Sequence, residues 1–496
     1  MDNVLNIIKD FTQTYHQKLI SLARAAENSL NVLNISDEVK NLKEEGIICD
    51  LNEGNAPYRP RYIVVDFEKF LKNGSDFLRL NPPNDIWEAT NNLLILYKHI
   101  PSITSFPVYI GNIDYLLEPF IEDEKEAYKA IKLFLEHIDR TITDSFCHAN
   151  IGPKRTKAGE IILKITRELQ NSVPNITLKY SDETDDDFAI EAVLTSLDTA
   201  KPSFANHDMF IKDLGENYAI ASCYNGLPVG GGSYTLVRLN LAYLAKKAKD
   251  EFDFLDNILP YAVDVMANYM DERIRFLVEE SNFFQSSFLV KEGLIDKDRF
   301  TAMFGIFGLA ECVNYFINSN NAFERFGHGK YANELGIKII EKLDEEVKKH
   351  KNNFCKFSNG NFLLHAQVGI DTDKGISPGC RIPIGEEPEL PQHLLQSAPF
   401  HKYFPSGIGD VFSFDVTAKN NPEFILDIIK GSFASGLRYI SFYGNDSDVI
   451  RITGYLVKKS DIEKLEKGEQ VYNDAVVLGL GSVKNQRILE RKVRKI

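Results

Sequence analysis

The chain has 496 residues, 44% hydrophobic and 26% charged, an ordinary globular composition that excludes a disordered protein. Its 57 Lys+Arg against 71 Asp+Glu give a net charge of −14, which disfavours nucleic acid and anionic membranes as partners. Such a length predicts roughly two to four domains or one large α/β barrel.

The opening MDNVLNIIKDFTQTYHQ lacks a basic stretch followed by an apolar core. It predicts an amphipathic helix with Val4, Ile7, Ile8, Phe11, Tyr15 and Leu19 at helical spacing, not a signal peptide. A second helix is expected through Tyr128, Ile131, Phe134 and Ile138. Asn175–Ser181 reads as a strand, and the acidic run Asp182–Asp187 as the solvated start of a helix over Phe188–Leu197. That run lacks the alternating ligand spacing of a calcium loop. Tyr218–Cys223 is a further strand candidate, followed by a glycine-rich turn and a helical run over Tyr234–Lys247. Phe362–Ile370, Val411–Val416 and Arg438–Tyr443 are extended candidates as well. Asn421 and Pro422 mark a helix start, and Ser460 with Glu463 has the spacing of a capping box. Strands interleaved with long helices predict an α/β fold. The Pro- and Gly-rich stretch from Gly375 to Gly409 is too long and apolar for a plain linker, and reads as a functional loop.

Six cysteines, Cys49, Cys147, Cys223, Cys312, Cys355 and Cys380, lie far apart with no CxxC pair, so paired-cysteine zinc is not expected. No apolar run approaches the length of a membrane helix. The expectation is a soluble, cytoplasmic protein from a reducing compartment.

The sharpest motif is Arg451-Ile452-Thr453-Gly454-Tyr455. Glycine has no Cβ, so other groups can approach its backbone closely. Loss of its α-hydrogen leaves a planar carbon radical between an amide nitrogen and a carbonyl, a geometry that a side chain would crowd. The motif resembles the fingerprint Arg-(Val/Ile)-x-Gly-(Tyr/Phe) of the glycyl radical enzymes, and lies 42 residues before the end. A second segment, Tyr218-Ala-Ile-Ala-Ser-Cys223-Tyr-Asn-Gly-Leu-Pro-Val-Gly-Gly-Gly-Ser233, is similar to that family's cysteine loop, and Met303–Glu311 to its GxxGLxE segment.

The resemblance implies a ten-stranded α/β barrel of two five-stranded halves wrapped in helices. Residues 1–410 would form the catalytic barrel with an N-terminal helical region and the Cys loop, and 411–496 the glycine radical domain. Gly454 would carry the radical, installed by a separate radical S-adenosylmethionine activase, and Cys223 the thiyl. The chain itself would bind no metal or organic cofactor. Its substrate would be a small polar molecule undergoing C–C or C–O cleavage, with ribonucleotide-type reduction as the runner-up. Relatives are commonly dimers, so a homodimer is possible.

Tyr224 stands where formate-lyase chemistry needs a second cysteine. Asn225 stands where dehydratases and decarboxylases carry a glutamate. No zinc CxxC pairs accompany the glycine, as they do in anaerobic ribonucleotide reductases. At this length, with GCRIPIGEEP and FHKYFPSGIGD between the two radical elements, the chain most resembles the YjjI family of glycyl radical enzymes. Two rivals remain: a nucleotide-binding protein using the glycine-rich loop 226–232, and a non-catalytic homologue. Arg381 beside Cys380 favours a thiolate there, whereas hydrogen-atom transfer needs a neutral thiol, so the relay is assigned to Cys223. Further acid–base or substrate candidates are Glu311, Cys380, Arg381, Glu386, Glu387, His148, His365 and His401. His393 is a weaker one.

Overall fold

A computed structural model of the chain describes residues 2–51, 53–102, 106–366, 373–452, 454–477, 481 and 487–495. The described strands, in chain order, begin with β1 (Ile48–Cys49), β2 (Tyr62–Val64), β3 (His148–Ile151), β4 (Asn175–Tyr180) and β5 (Ser203–Asn206). There follow β6 (Tyr218–Ala221), β7 (Asn225–Pro228), β8 (Gly231–Asn240), β9 (Phe300–Phe307) and β10 (Leu363–Ala366). The last are β11 (Asp410–Phe414), β12 (Tyr439–Gly444), β13 (Val449–Arg451), β14 (Leu456–Lys458) and β15 (Val493–Arg494).

One sheet runs β1-β8-β9-β10, with β2 also on β8; the other runs β15-β11-β12-β5-β4-β3. Within each, β8, β9 and β10, then β3, β4 and β5, and β11 with β12, are parallel, whereas β5 meets β12 antiparallel. The fold is α/β. Neither ladder closes among the described residues, so the strand pairing gives two open sheets and does not confirm a ten-stranded barrel. Loop contacts stand at the sheet margins instead, such as Ala366 N–H to Gly407 O and the lone bridge between Asn112 and Asn150. Two further hairpins, β6–β7 and β13–β14, join neither ladder among the described residues.

Strands β3, β4, β8, β9, β11 and β12 are buried on both faces, as strands under helices are. Asp123, Thr156 and Asp185 cap the helices Glu124–Thr141, Lys157–Leu169 and Asp186–Thr199, each accepting a backbone N–H three residues on. The acidic run around Asp185 is thus the helix start the sequence predicts. The helix Leu259–Arg275 packs on β8, and Lys330–Lys349 packs on that helix. No helix among the described residues is long and apolar enough to cross a membrane.

Several expectations need correction. The N-terminal pattern forms two helices, Asp2–Lys9 and Tyr15–Glu27. They break where Asp10 takes the Thr12 N–H and Thr14 builds a capping box with Gln17. Tyr234–Lys247 is not helical: Gly231–Asn240 is the central strand of its sheet, and only Leu241–Ala245 is helix. Every residue of that strand is buried, polar Ser233, Thr235 and Arg238 included, and its register shifts between Ser233 and Leu236, so no clean two-residue alternation marks it as a strand. Helix Lys459–Glu466 starts without the Ser460 capping box, because the Ser460 N–H and hydroxyl both donate to Asp448. Asn421 precedes Pro422–Ala434 as predicted but makes no side-chain cap. The stretch from Gly375 to Gly409 contains the helix Leu390–His401. The Phe362–Ile370 strand is described only as Leu363–Ala366, and 367–370 fall outside the described residues.

Candidate active site

The two self-paired hairpins meet tip to tip. The first carries Ser222-Cys223-Tyr224 in the turn between β6 and β7; the second carries Gly454 in the turn between β13 and β14. A Cβ built on Gly454 would stand 1.9 Å from Cys223 Cβ and 2.8 Å from its Sγ, so only glycine fits.

The cysteine turn is held from below. Ser222 takes a positive φ of 58° and donates its N–H to Val108 O at 2.8 Å. Its carbonyl accepts from His148 Nδ1 at 2.9 Å. His148 Nε2 then accepts from Thr177 Oγ1 at 2.7 Å, which fixes a neutral tautomer. Complete burial holds this imidazole down at about 3. The Tyr439 hydroxyl donates to Cys223 O at 3.1 Å, and Asn150 brackets Ile220 through both its carbonyl and its N–H. The Cys223 thiol donates to Asn225 Oδ1 at 3.2 Å, and burial pushes it up to about 11, so it is a neutral S–H at neutral pH.

The glycine turn is tied by different groups. Asn175 Nδ2 donates to Gly454 O at 3.0 Å, while Asn175 Oδ1 accepts from Arg451 Nη2 at 2.9 Å. Arg451, fully buried, also gives Nε to Ala200 O at 2.8 Å. Arg491 Nη1 and Nη2 cap the carbonyls of Arg451 and Ile452 at 3.1 Å each. Ser145 bonds both the N–H and the carbonyl of Leu456. Thr453 lies outside the described residues.

The remaining candidates divide. Arg381 comes to the cysteine turn: its Nε donates to Gly409 O at 2.8 Å, its guanidinium lies 5.8 Å from the Tyr224 ring, and its charge acts on the Cys223 thiol. Cys380 is buried near Tyr224, and burial pushes its thiol far up rather than Arg381 drawing it down. Adjacency in sequence therefore misassigns that cation, which serves Cys223. His365 Nδ1 bonds Ser406 O, with its ring 5.7 Å from that of Tyr224.

The others stand apart. Glu311 accepts the Ser377 N–H and hydroxyl. Glu386 is exposed and pairs with Arg325. Glu387 accepts the Gly385 N–H, and His393 pairs with Asp410. His401 takes the Arg438 N–H on Nδ1, and burial holds it down at about 3, so it is a neutral structural group. The glycine-rich turn is no phosphate cradle: strand β8 follows it, not a helix. Cβ atoms on Gly231 and Gly232 would strike Arg299 O and Tyr62 O, so both glycines serve close strand packing. Sequence reasoning missed Asn175, Tyr439, Thr177 and Arg491, which carry no local motif.

Two opposed hairpins thus bring a buried neutral thiol against a glycine Cα inside an α/β fold. The family model "Glycyl radical enzyme YjjI-like" matches residues 13–494. The chain is 46% identical over 501 aligned positions to an uncharacterized protein of Haemophilus influenzae, covering all of this chain and 98% of that one. It is 41% identical to the uncharacterized protein YjjI of Escherichia coli, covering 97% and 93%. Its fold is similar to the anaerobic ribonucleotide reductase of Thermotoga maritima (TM-score 0.72, 13% identity, covering 92% and 93%). It is also similar to the B12-independent glycerol dehydratase of Clostridium butyricum (TM-score 0.67, 12% identity, covering 97% and 84%). The chain belongs to the YjjI-like family of glycyl radical enzymes.

Proposed function

We propose that this protein is an anaerobic radical enzyme in which Gly454 stores the radical and Cys223 delivers it to a small polar substrate. A radical S-adenosylmethionine activase removes one α-hydrogen from Gly454. In turnover the glycyl carbon takes the hydrogen atom of the Cys223 thiol, and the thiyl sulfur takes a hydrogen atom from a substrate C–H. The substrate radical then breaks a C–C or C–O bond. The product radical takes the hydrogen back from Cys223, and Gly454 returns its own to the sulfur. The β13–β14 hairpin delivers the glycine; residues 411–496 as a whole are not a separate unit, since β11 and β12 lie in the six-stranded sheet with β3–β5. The chain itself supplies no metal or organic group in this scheme. Excluding water and oxygen keeps both radicals from being quenched, which fits the burial of the site.

The observation that carries this reading is the contact of Gly454 with Cys223, where a side chain on the glycine has no room. The neutral state of Cys223 supports it, since a thiolate has no hydrogen atom to give. The test is anaerobic activation followed by electron paramagnetic resonance. A doublet from coupling to the one remaining α-hydrogen is expected, and it should vanish in Gly454→Ala. No radical in the wild type, or an unchanged doublet in the variant, overturns the assignment.

A further inference from the structure

Besides Arg451 Nη1 on the glycine hairpin, three buried donor atoms around the Cys223 thiol have no hydrogen-bond partner among the described residues: Arg61 Nε, Asn225 Nδ2 and Arg381 Nη2. Asn225 is fully buried and Arg61 is 9% exposed. Unpartnered buried donors are rare in native proteins, and three around one reactive group indicate an occupant. Each is aimed by its other contacts. Asn225 turns Oδ1 to the thiol at 3.2 Å, so its Nδ2 faces elsewhere. Arg381 is anchored through Nε to Gly409 O, which leaves Nη2 open. Arg61 is anchored through Nη1 to Glu53 at 2.7 Å, and its guanidinium lies 5.0 Å from the Tyr62 ring. The charges of both arginines act on the thiol.

All three atoms are donors, so the missing partner is an acceptor. Glu53 pairs with Arg61 but shares its carboxylate with Arg273. Arg381 makes no ion pair among the described residues, and its charge faces an Asp410 already paired with His393. The missing acceptor therefore sits in a positive environment. A planar carboxylate spans such a set of N–H groups. We infer that the substrate carries a carboxylate held by Arg381, Asn225 and Arg61, beside the carbon whose hydrogen Cys223 takes.

This inference rests on the Cys223 reading and adds the substrate class. It is tested by calorimetric titration of unactivated protein under argon with lactate, glycerate and 3-hydroxybutyrate, each against its neutral amide. At least one carboxylate should bind, and its amide at least about tenfold more weakly, as loss of a charge-assisted pair implies. Arg381→Gln should collapse that carboxylate-to-amide ratio, and Arg381→Lys should keep part of it. A merely structural arginine would weaken acid and amide alike. Should Arg381→Gln fail to match the wild-type melting temperature, Asn225→Ala carries the same comparison. The inference is overturned if no carboxylate of the panel binds, if amides bind equally, or if the ratio survives in the folded variants. Binding is read without a radical, so its failure leaves the Gly454 doublet untouched. A missing doublet likewise leaves the binding result standing.

Discussion

Asn175 Nδ2 holds the carbonyl of Gly454 at 3.0 Å, and through its Oδ1 the same amide grips the motif's Arg451. The arginine of the motif therefore reaches the glycine not directly but through a residue 279 positions away.

Replacing that residue tests the linkage. Asn175→Ala orphans the Gly454 carbonyl and an Arg451 donor inside the protein, at a cost of about 1–3 kcal/mol for each buried group left unpaired. The variant should fold, melt at a lower temperature, and give a glycyl doublet that decays faster than the wild type's. A doublet of unchanged yield and lifetime would show that Asn175 does not position the glycine.

Cys223→Ser should keep the glycyl doublet, because the activase acts on Gly454, yet abolish turnover. Cys380→Ser should retain at least part of the activity, since the atoms nearest a Cβ built on Gly454 all belong to Cys223. Parallel resonance and activity assays of the two variants decide this. A dead Cys380→Ser beside an active Cys223→Ser would exchange the roles.

Air should cut the activated chain at one place. Oxygen adds to the glycyl carbon, and collapse of the peroxyl breaks the main chain there, releasing a fragment that holds the 42 residues after Gly454. Mass spectrometry of air-exposed protein that first showed the doublet should find this short piece. Intact chain alone would count against a radical at that carbon.

Acid should loosen the site through its histidines. His148 and His401 are neutral in the fold and held at about 3, against an ordinary value of 6.5. An unfolded chain takes up protons on both below 6.5 while the folded one does not. The stability present above that pH is therefore lost as pH falls from 6.5 toward 3. The melting temperature should drop over that window, and His401→Gln should flatten the slope. An unchanged slope would mean that His401 protonates without unfolding.

How far the sequence reached can be judged residue by residue. Gly454 and Cys223 were legible because their chemistry leaves a local mark: an invariable need for glycine beside a fixed neighbour pattern, and a cysteine in a turn between extended segments. The α/β class followed from alternating patterns. Strand β8 was misread as helix because burial on both faces erases the period that separates the two. His401 and Glu386 looked catalytic only while their partners, Arg438 and Arg325, were unknown. Asn175, Tyr439 and Arg491 reach the site by tertiary contact alone, and no spacing rule announces such residues. Arg381 was singled out, but for the wrong cysteine.

Among the described residues, the hairpin that bears Gly454 has no ladder partner in either large sheet. What moors it, besides packing, is a handful of side-chain links from Asn175, Arg451, Arg491 and Ser145. Withdrawing it severs those links but unzips no sheet. The buried Gly454 is thus mounted on a tab whose attachments lie outside the strand pairing of both large sheets.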